Sequence, residues 1–303
     1  MLIEAKVPFR YIFRQIRRDV ARVVLFSLIF VVLKTYVADY MPPVPVQLPT
    51  IMGSFISLLL AFNLNQSYDR WWEARKVWGA IVNDSRTWVL QLRQFADSQP
   101  VGGESEAQPV RRMGLRQIAW CYSLARSLRG QDGLADLDTF ISPEEQQALE
   151  AQRNRPLGLL AQHADDLRRL RQAGAINAYQ QVQLDNTLVR LCESMGQAER
   201  IKSTVFPVMY RLFIHMFIYL FLIILSFALV EEVGLLEIPA LTVVASAFFL
   251  LEKTARYLQD PFSNKPTDTP VSAISRTIEI NLRQLLHEVE VPQPLAPEKF
   301  YLM

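Results

Sequence analysis

From Met41 to Tyr68 the chain carries no charged side chain, and it then reads Asp69-Arg70-Trp71-Trp72-Glu73-Ala74-Arg75-Lys76-Val77-Trp78-Gly79, with no proline or glycine from Ser54 to Trp78. A bilayer core of about 30 Å is crossed by roughly 20 apolar residues in a helix, and this run supplies them. The helical spacing of Tyr68, Trp71, Trp78, Ile81 and Trp88 carries on past the last uncharged residue. One helix is therefore expected to leave the membrane and continue into a space lined by protein.

The rest of the chain repeats this segregation. Half of it is hydrophobic and the mean hydropathy is +0.11, yet 20% of residues are charged. Apolar windows at about 20–38, 45–64, 205–230 and 234–256 flank a charged middle and predict four membrane helices in an all-α membrane protein. The third is the cleanest, because Leu212 to Val230 holds no Asp, Glu, Lys or Arg. The first has only Val23 to Leu33 between Arg22 and Lys34, and the fourth is uncharged only from Ile238 to Leu251, before Glu252 and Lys253. Such ends need snorkelling or a protein neighbour, which favours packing in an oligomer.

Net charge is +2, which gives no reason to expect nucleic acid. Lys6, Arg10, Arg14, Arg17, Arg18 and Arg22 precede the first span, Arg70, Arg75 and Lys76 follow the second, and Arg200 and Lys202 precede the third. The connections Asp39 to Gln47 and Glu231 to Glu237 have no Lys or Arg, so both termini are expected on the cytoplasmic side. The first apolar stretch lies deep behind a basic helix and lacks a small-residue cleavage site, so it is expected to be a span and not a removed leader. Cys121 and Cys192, without CxxC spacing, are expected to be reduced and without a role.

The expected division is 1–19 as a cytoplasmic amphipathic helix, 20–64 as the first two spans, 65–204 as a helical cytoplasmic domain, 205–256 as the last two spans and 257–303 as a cytoplasmic C-terminal segment. In the first piece Val7, Tyr11, Ile12 and Ile16 oppose the arginines, which suits either the membrane interface or docking on the soluble domain. Prolines 42, 43, 45 and 49 place the start of the second span near Leu48. Gly53, Ser54, Ser57 and Ala61 then allow close helix approach, either for packing alone or around a pore. Within the domain, breakers at Pro100, Gly102 and Gly103 end the long helix. Further helices are predicted at about Pro109–Leu128, after a capping box at Ser142-Pro-Glu-Glu145, at Pro156–Ala173 and at 175–202. A turn-rich Asp260–Pro270 leads to an amphipathic helix at Val271–His287 and an extended tail.

No catalytic constellation is visible. His163, His215 and His287 fall on different elements, and neither a metal-ligand spacing nor a phosphate loop occurs, so no enzyme activity, metal or cofactor is expected. Arg211 and His215 stand one turn apart in the third span, which raises a functional possibility, but Arg211 is close enough to the interface to snorkel. At the junction, Tyr68, Trp71, Trp72 and Trp78 read as core aromatics, and Asp69, Arg70, Glu73 and Arg75 as partners of neighbouring helices.

Tyr68-Asp-Arg-Trp-Trp-Glu-Ala-Arg-Lys-Val-Trp-Gly79 resembles the core motif of the bestrophins, in their bacterial branch. Glu199-Arg200-Ile201 ahead of Pro207, Asp260-Pro261-Phe262 after the fourth span, and Ile278-Glu279 agree with it, as do helical order and length. The resemblance implies a homopentameric ion channel in a bacterial inner membrane, contacting lipid and passing small monovalent ions, chloride among them. Its second helix would line a central neck with rings of apolar side chains. Counting back from Arg70 puts Ser54, Leu58 and Phe62 there, with Ser54 where the family has a larger apolar residue. Bacterial members commonly carry Gly-Phe-Arg where this chain has Ala61-Phe-Asn63, so a ring of positive charge would be lost. Tyr179, or else Val182, would form a second aperture, although a core role suits either residue as well. The animal calcium clasp follows Asp-Pro-Phe, but Ser263-Asn-Lys-Pro-Thr-Asp-Thr269 offers one carboxylate, so no calcium site is expected. A cation-permeable homologue and a non-conducting membrane-anchored interaction protein are the alternatives, and cytoplasmic partners are not specified by the sequence. A coupled transporter would want inverted repeats or a charged midplane site, and neither is evident.

Overall fold

The computed structural model describes residues 8–37, 44–95, 107–204, 208–229, 236–298 and 300–302. The described residues form α1 (Phe9–Val37), α2 (Gln47–Phe95), α3 (Ala107–Leu128), α4 (Pro143–Glu150), α5 (Arg155–Gln172), α6 (Ala178–Ser203), α7 (Val208–Ala228), α8 (Glu237–Gln259) and α9 (Val271–Leu285). Apart from a single bridge between Glu298 and Tyr301 they contain no β structure. Two compact units result, Glu4–Trp71 with Val205–Asp260, and Trp72–Thr204 with Pro261–Met303, and α2 contributes to both.

The second predicted helix runs as one piece of 49 residues, starting at Gln47 with Pro49 in its first turn. Its expected breakers at Pro100, Gly102 and Gly103 lie outside the described residues, as do residues 38–43 and 230–235 of the two outer connections. α1 departs from expectation. Phe9–Val37 is one helix, so residues 9–19 are the first turns of the same rod as the apolar stretch and not a separate amphipathic element. The physical reason is plain: no proline or glycine interrupts the helix, and a change from basic to apolar side chains does not break a backbone.

In the first unit, Ile16 and Val23 of α1, Ile56 and Leu60 of α2, Ile214, Ile218, Phe221 and Leu222 of α7, and Leu241, Ala245 and Phe249 of α8 form the core. A Cβ on Gly53 would come within 3.2 Å of the Phe221 ring, so the missing side chain makes room for that ring of α7 against α2. Ser54 and Ser57 are exposed, and their hydroxyls donate to the Thr50 and Gly53 carbonyls of their own helix. Among the described residues three helices, α2, α7 and α8, are long and apolar enough to cross a membrane.

Charge inside this unit is handled by pairing. Asp19 of α1 is buried and lies 2.5 Å from Lys253 Nζ of α8, and Lys253 also donates to the Gln15 carbonyl. Glu252 is equally buried and is flanked by Arg256 at 3.6 Å and by His215 Nδ1 at 4.0 Å. Near the other end of α7 and α8, the Ser226 hydroxyl donates to the buried Glu237. A lone buried charge costs several kcal/mol, and these contacts are what let charged residues lie among apolar helices.

The second unit is built on Trp78, Ile81, Trp88 and Leu92 of α2, Trp120 and Leu124 of α3, Leu159 and Leu167 of α5, Leu184 and Leu191 of α6, and Phe262, Val271, Ile278 and Leu282 at and after the Asp-Pro-Phe turn. The capping box at α4 forms as expected: Glu145 N donates to Ser142 Oγ at 3.3 Å and Ser142 N to Glu145 Oε2 at 3.0 Å. Gly130 and Gly174 take positive φ just beyond α3 and α5, where a side chain would be strained. Cys121 is buried and its thiol is pushed up to about 12 by burial, so it stays protonated, whereas Cys192 is exposed.

His163 is fully buried, edge-on to Trp88 at 5.0 Å between ring centroids, and neither ring nitrogen has a hydrogen-bond partner. Burial, then the nearby Arg116 charge, hold its pKa well below the usual imidazole value. The unfolded chain takes up a proton near pH 6.5 that the folded chain refuses, so this contribution to stability is present above that pH and lost below it. The loss therefore grows as the pH falls from about 7.5 to about 5.5. His163→Leu, of similar volume, is expected to flatten that part of the pH dependence in thermal melts. An unchanged slope would refute the assignment.

Candidate functional site

α2 has two faces where it runs through the first unit. Ile56 and Leu60 are buried in the core shared with α7 and α8, and Asn63 and Ser67 are buried too, while Ile51, Ser54, Phe55, Leu58 and Phe62 are exposed. Leu58 is 53% exposed and Phe62 55%, against 1% for Ile56 and 2% for Leu60, which separates the faces without ambiguity. Steps of four residues drift about 40° each, so Ser54, Leu58 and Phe62 stay within about 80° of one another over about 12 Å of helix. Ile51 and Phe55, absent from the sequence-based set, join them. A count of period 3.6 from Leu58 would have found both.

Position 63 lies on the buried side of α2. The Asn63 side chain is 3% exposed and its Oδ1 accepts from Gln259 Nε2 at 3.1 Å. It points away from the Leu58 face and is held by this contact with α8.

Two of the junction aromatics also differ from expectation. Trp78 is a core residue, but Tyr68 and Trp72 are each about half exposed, at 49% and 46%. They lie on the outer side of α2, away from the buried line of Ser67, Ala74 and Val77. Tyr68 stacks on Trp71 at 6.0 Å. The charged members hold neighbouring segments: Arg70 Nε donates to the Gln259 carbonyl at 3.0 Å, and Glu73 pairs with Arg200 at 3.0 Å. Asp69 is exposed.

The other motif residues are similarly local. Glu199 accepts from Asn154 Nδ2 at 2.9 Å, and Asn154 Oδ1 in turn caps α5 by accepting from Leu157 N. Asp260 ends α8, Pro261 O accepts from Thr269 N at 3.1 Å, and Phe262 is buried in the core of its unit. These contacts close the Asp260–Thr269 turn. Within it, the buried Asp268 accepts from Ser263 Oγ and Lys265 N. No group of three His, Cys, Asp or Glu able to hold a metal occurs among the described residues.

Tyr179 and Val182 start α6 just after its Asn177 cap, and they are 86% and 56% exposed. A core role for either is therefore ruled out within this chain. The physical reason is register: Leu184, Leu188 and Leu191 take the buried face of α6, leaving 179, 182 and Val189 outside.

Comparison with known proteins follows the same geometry. The family profile described as "Bacterial/Fungal Bestrophin protein" matches residues 9–284. The voltage-dependent anion channel-forming protein RSc3414 of Ralstonia nicotianae is 30% identical over 264 residues, which is 86% of this chain and 85% of that protein. The voltage-dependent anion channel-forming protein YneE of Escherichia coli K12 is 31% identical, over 83% of this chain and 80% of its own. The crystal structure of a bacterial bestrophin homolog from Klebsiella pneumoniae superposes with a TM-score of 0.84 at 27% identity, covering 91% of this chain and all of that one. A profile match over nearly the whole helical series, including α2 and the turn after α8, establishes that this chain belongs to the bacterial bestrophin family.

Proposed function

We propose that this protein is a passive anion channel, and not an enzyme, in which a homopentamer surrounds a central pore lined by α2. The observation that carries the reading is the exposed apolar row at Leu58 and Phe62, on a membrane-grade helix whose opposite face is fully packed. Family membership and the anion-channel names of the relatives support the same conclusion. In this arrangement α1 is the fourth span, both termini are cytoplasmic and the membrane is the bacterial inner membrane. Ser54, Leu58 and Phe62 form successive constrictions, the outermost wetter because Ser54 carries a hydroxyl, and Tyr179 with Val182 forms the cytoplasmic aperture.

Apolar rings gate by excluding water, and an ion cannot pass a dry constriction. Phe62 rings that turn their positive edges inward favour an anion through the aromatic quadrupole. Selectivity then comes from ring edges and pore radius, with no need for a basic side chain at position 63. The test is a planar bilayer containing only purified protein and a tenfold KCl gradient. The expected reversal potential lies on the chloride side of zero. A potential on the potassium side would make it a cation-permeable homologue, and no current at all would leave an anchored interaction protein.

A further inference from the structure

One exposed stripe runs the described length of α1 and changes character once. Arg10, Arg14, Arg17, Arg18 and Arg22 dominate its first part, where Phe13 is also exposed, and Leu25, Leu28, Ile29, Val32, Leu33 and Tyr36 make up its second. At about 100° per residue the arginines and the second group fall in a band about 160° wide whose centre lies opposite Ile16, Asp19, Val23 and Ser27, which are buried. Asp19 is held more closely by Lys253, at 2.5 Å, and reaches one member of the ladder, Arg22. Arg22 touches Asp19 at 3.3 Å yet keeps 64% of its side chain exposed. Arg10, Arg14, Arg17 and Arg18 have no polar partner among the described residues.

We propose that this stripe is a binding site for anionic phospholipid, with the headgroup phosphate on Arg17, Arg18 and Arg22 and the acyl chains along Leu25 to Leu33. An acidic soluble protein would satisfy the guanidinium groups but leave the adjoining apolar side chains without cover. A lipid supplies both chemistries in the order that the helix presents them. Length sharpens the assignment. Arg17 to Arg22 spans about 7.5 Å along the axis, close to the roughly 5–8 Å of one headgroup layer, whereas Arg10 lies about 18 Å below Arg22 and acts only through its field. The site requires membrane embedding but not conduction, so it stands or falls separately from the channel reading.

Each basic side chain near an anionic surface contributes about 1 kcal/mol, so loss of three predicts on the order of a hundredfold weaker binding. The measurement uses the full-length protein in a neutral detergent, with thermal stability followed as lipid is added. Phosphatidylglycerol is expected to stabilise the wild type far more than phosphatidylcholine, and inorganic phosphate at matched ionic strength to have no effect. The triple variant Arg17→Gln, Arg18→Gln, Arg22→Gln should lose that response while keeping the oligomer size, and the triple lysine variant should retain most of it. Arg10→Gln with Arg14→Gln should shift it only slightly. Equal responses to the two lipids, an equal response to free phosphate, or a glutamine variant that falls apart into smaller species without losing the lipid response would each overturn the site. The last would make the ladder a contact between subunits.

Discussion

Leu58→Ala is expected to raise chloride flux through reconstituted protein by about tenfold or more. If α2 lines the neck, each subunit withdraws an isobutyl group from the same ring, and the constriction gains radius where an apolar gate is most sensitive to it. A barrier lower by about 1.4 kcal/mol already gives a factor of ten. Ile56→Ala serves as the control, because Ile56 is two residues away and 1% exposed. It removes the same amount of hydrocarbon, but from the core, and costs about 2–5 kcal/mol of stability, yet it leaves the exposed row intact and should not open the pore. Liposome chloride efflux and size-exclusion profiles of both variants decide the matter. Unchanged efflux from an intact Leu58→Ala oligomer would place the gate elsewhere.

Arg116→Met is expected to destabilise the helical unit by about 3–5 kcal/mol, the cost of breaking a buried ion pair from one side. Arg116 is 2% exposed and its guanidinium reaches both Glu145 and Asp166, the latter at 2.6 Å. The two carboxylates do not suffer equally. Asp166 keeps Arg112 at 3.0 Å and Arg169 at 3.5 Å, whereas Glu145 is left with the Ser142 amide. Arg116→Met combined with Glu145→Gln should therefore recover much of the loss, since the stranded charge is gone. Chemical denaturation of the two variants tests this, and equal stabilities would show that Glu145 is not the group at risk.

Much of this architecture was legible in the sequence, for local reasons. A capping box, prolines at helix starts and glycines at helix ends are read within a few residues, and they placed α3 to α6 to within a turn or so. The unbroken α2 followed from the absence of breakers. The same logic should have joined the two halves of α1, but a change in polarity drew a boundary that the backbone does not respect. Facing was harder. The outward Tyr68, Trp72 and Tyr179 and the inward Asn63 depend on which neighbours cover each side of a helix, and those neighbours come from distant segments such as Gln259. The exposed residues Ser54, Leu58 and Phe62 were reached only by counting from a motif, and the neighbouring exposed Ile51 and Phe55 were missed because the motif does not name them.

The Asp19–Lys253 pair joins α1, near the start of the chain, to α8, near its end. During synthesis Asp19 emerges long before Lys253, with only the largely exposed Arg22 of its own helix within reach at 3.3 Å, and a buried carboxylate so weakly paired is costly. Until α8 arrives, α1 must keep Asp19 in water or beside lipid headgroups. Biogenesis is therefore completed in reverse: the last apolar helix to be made releases the first into its final place.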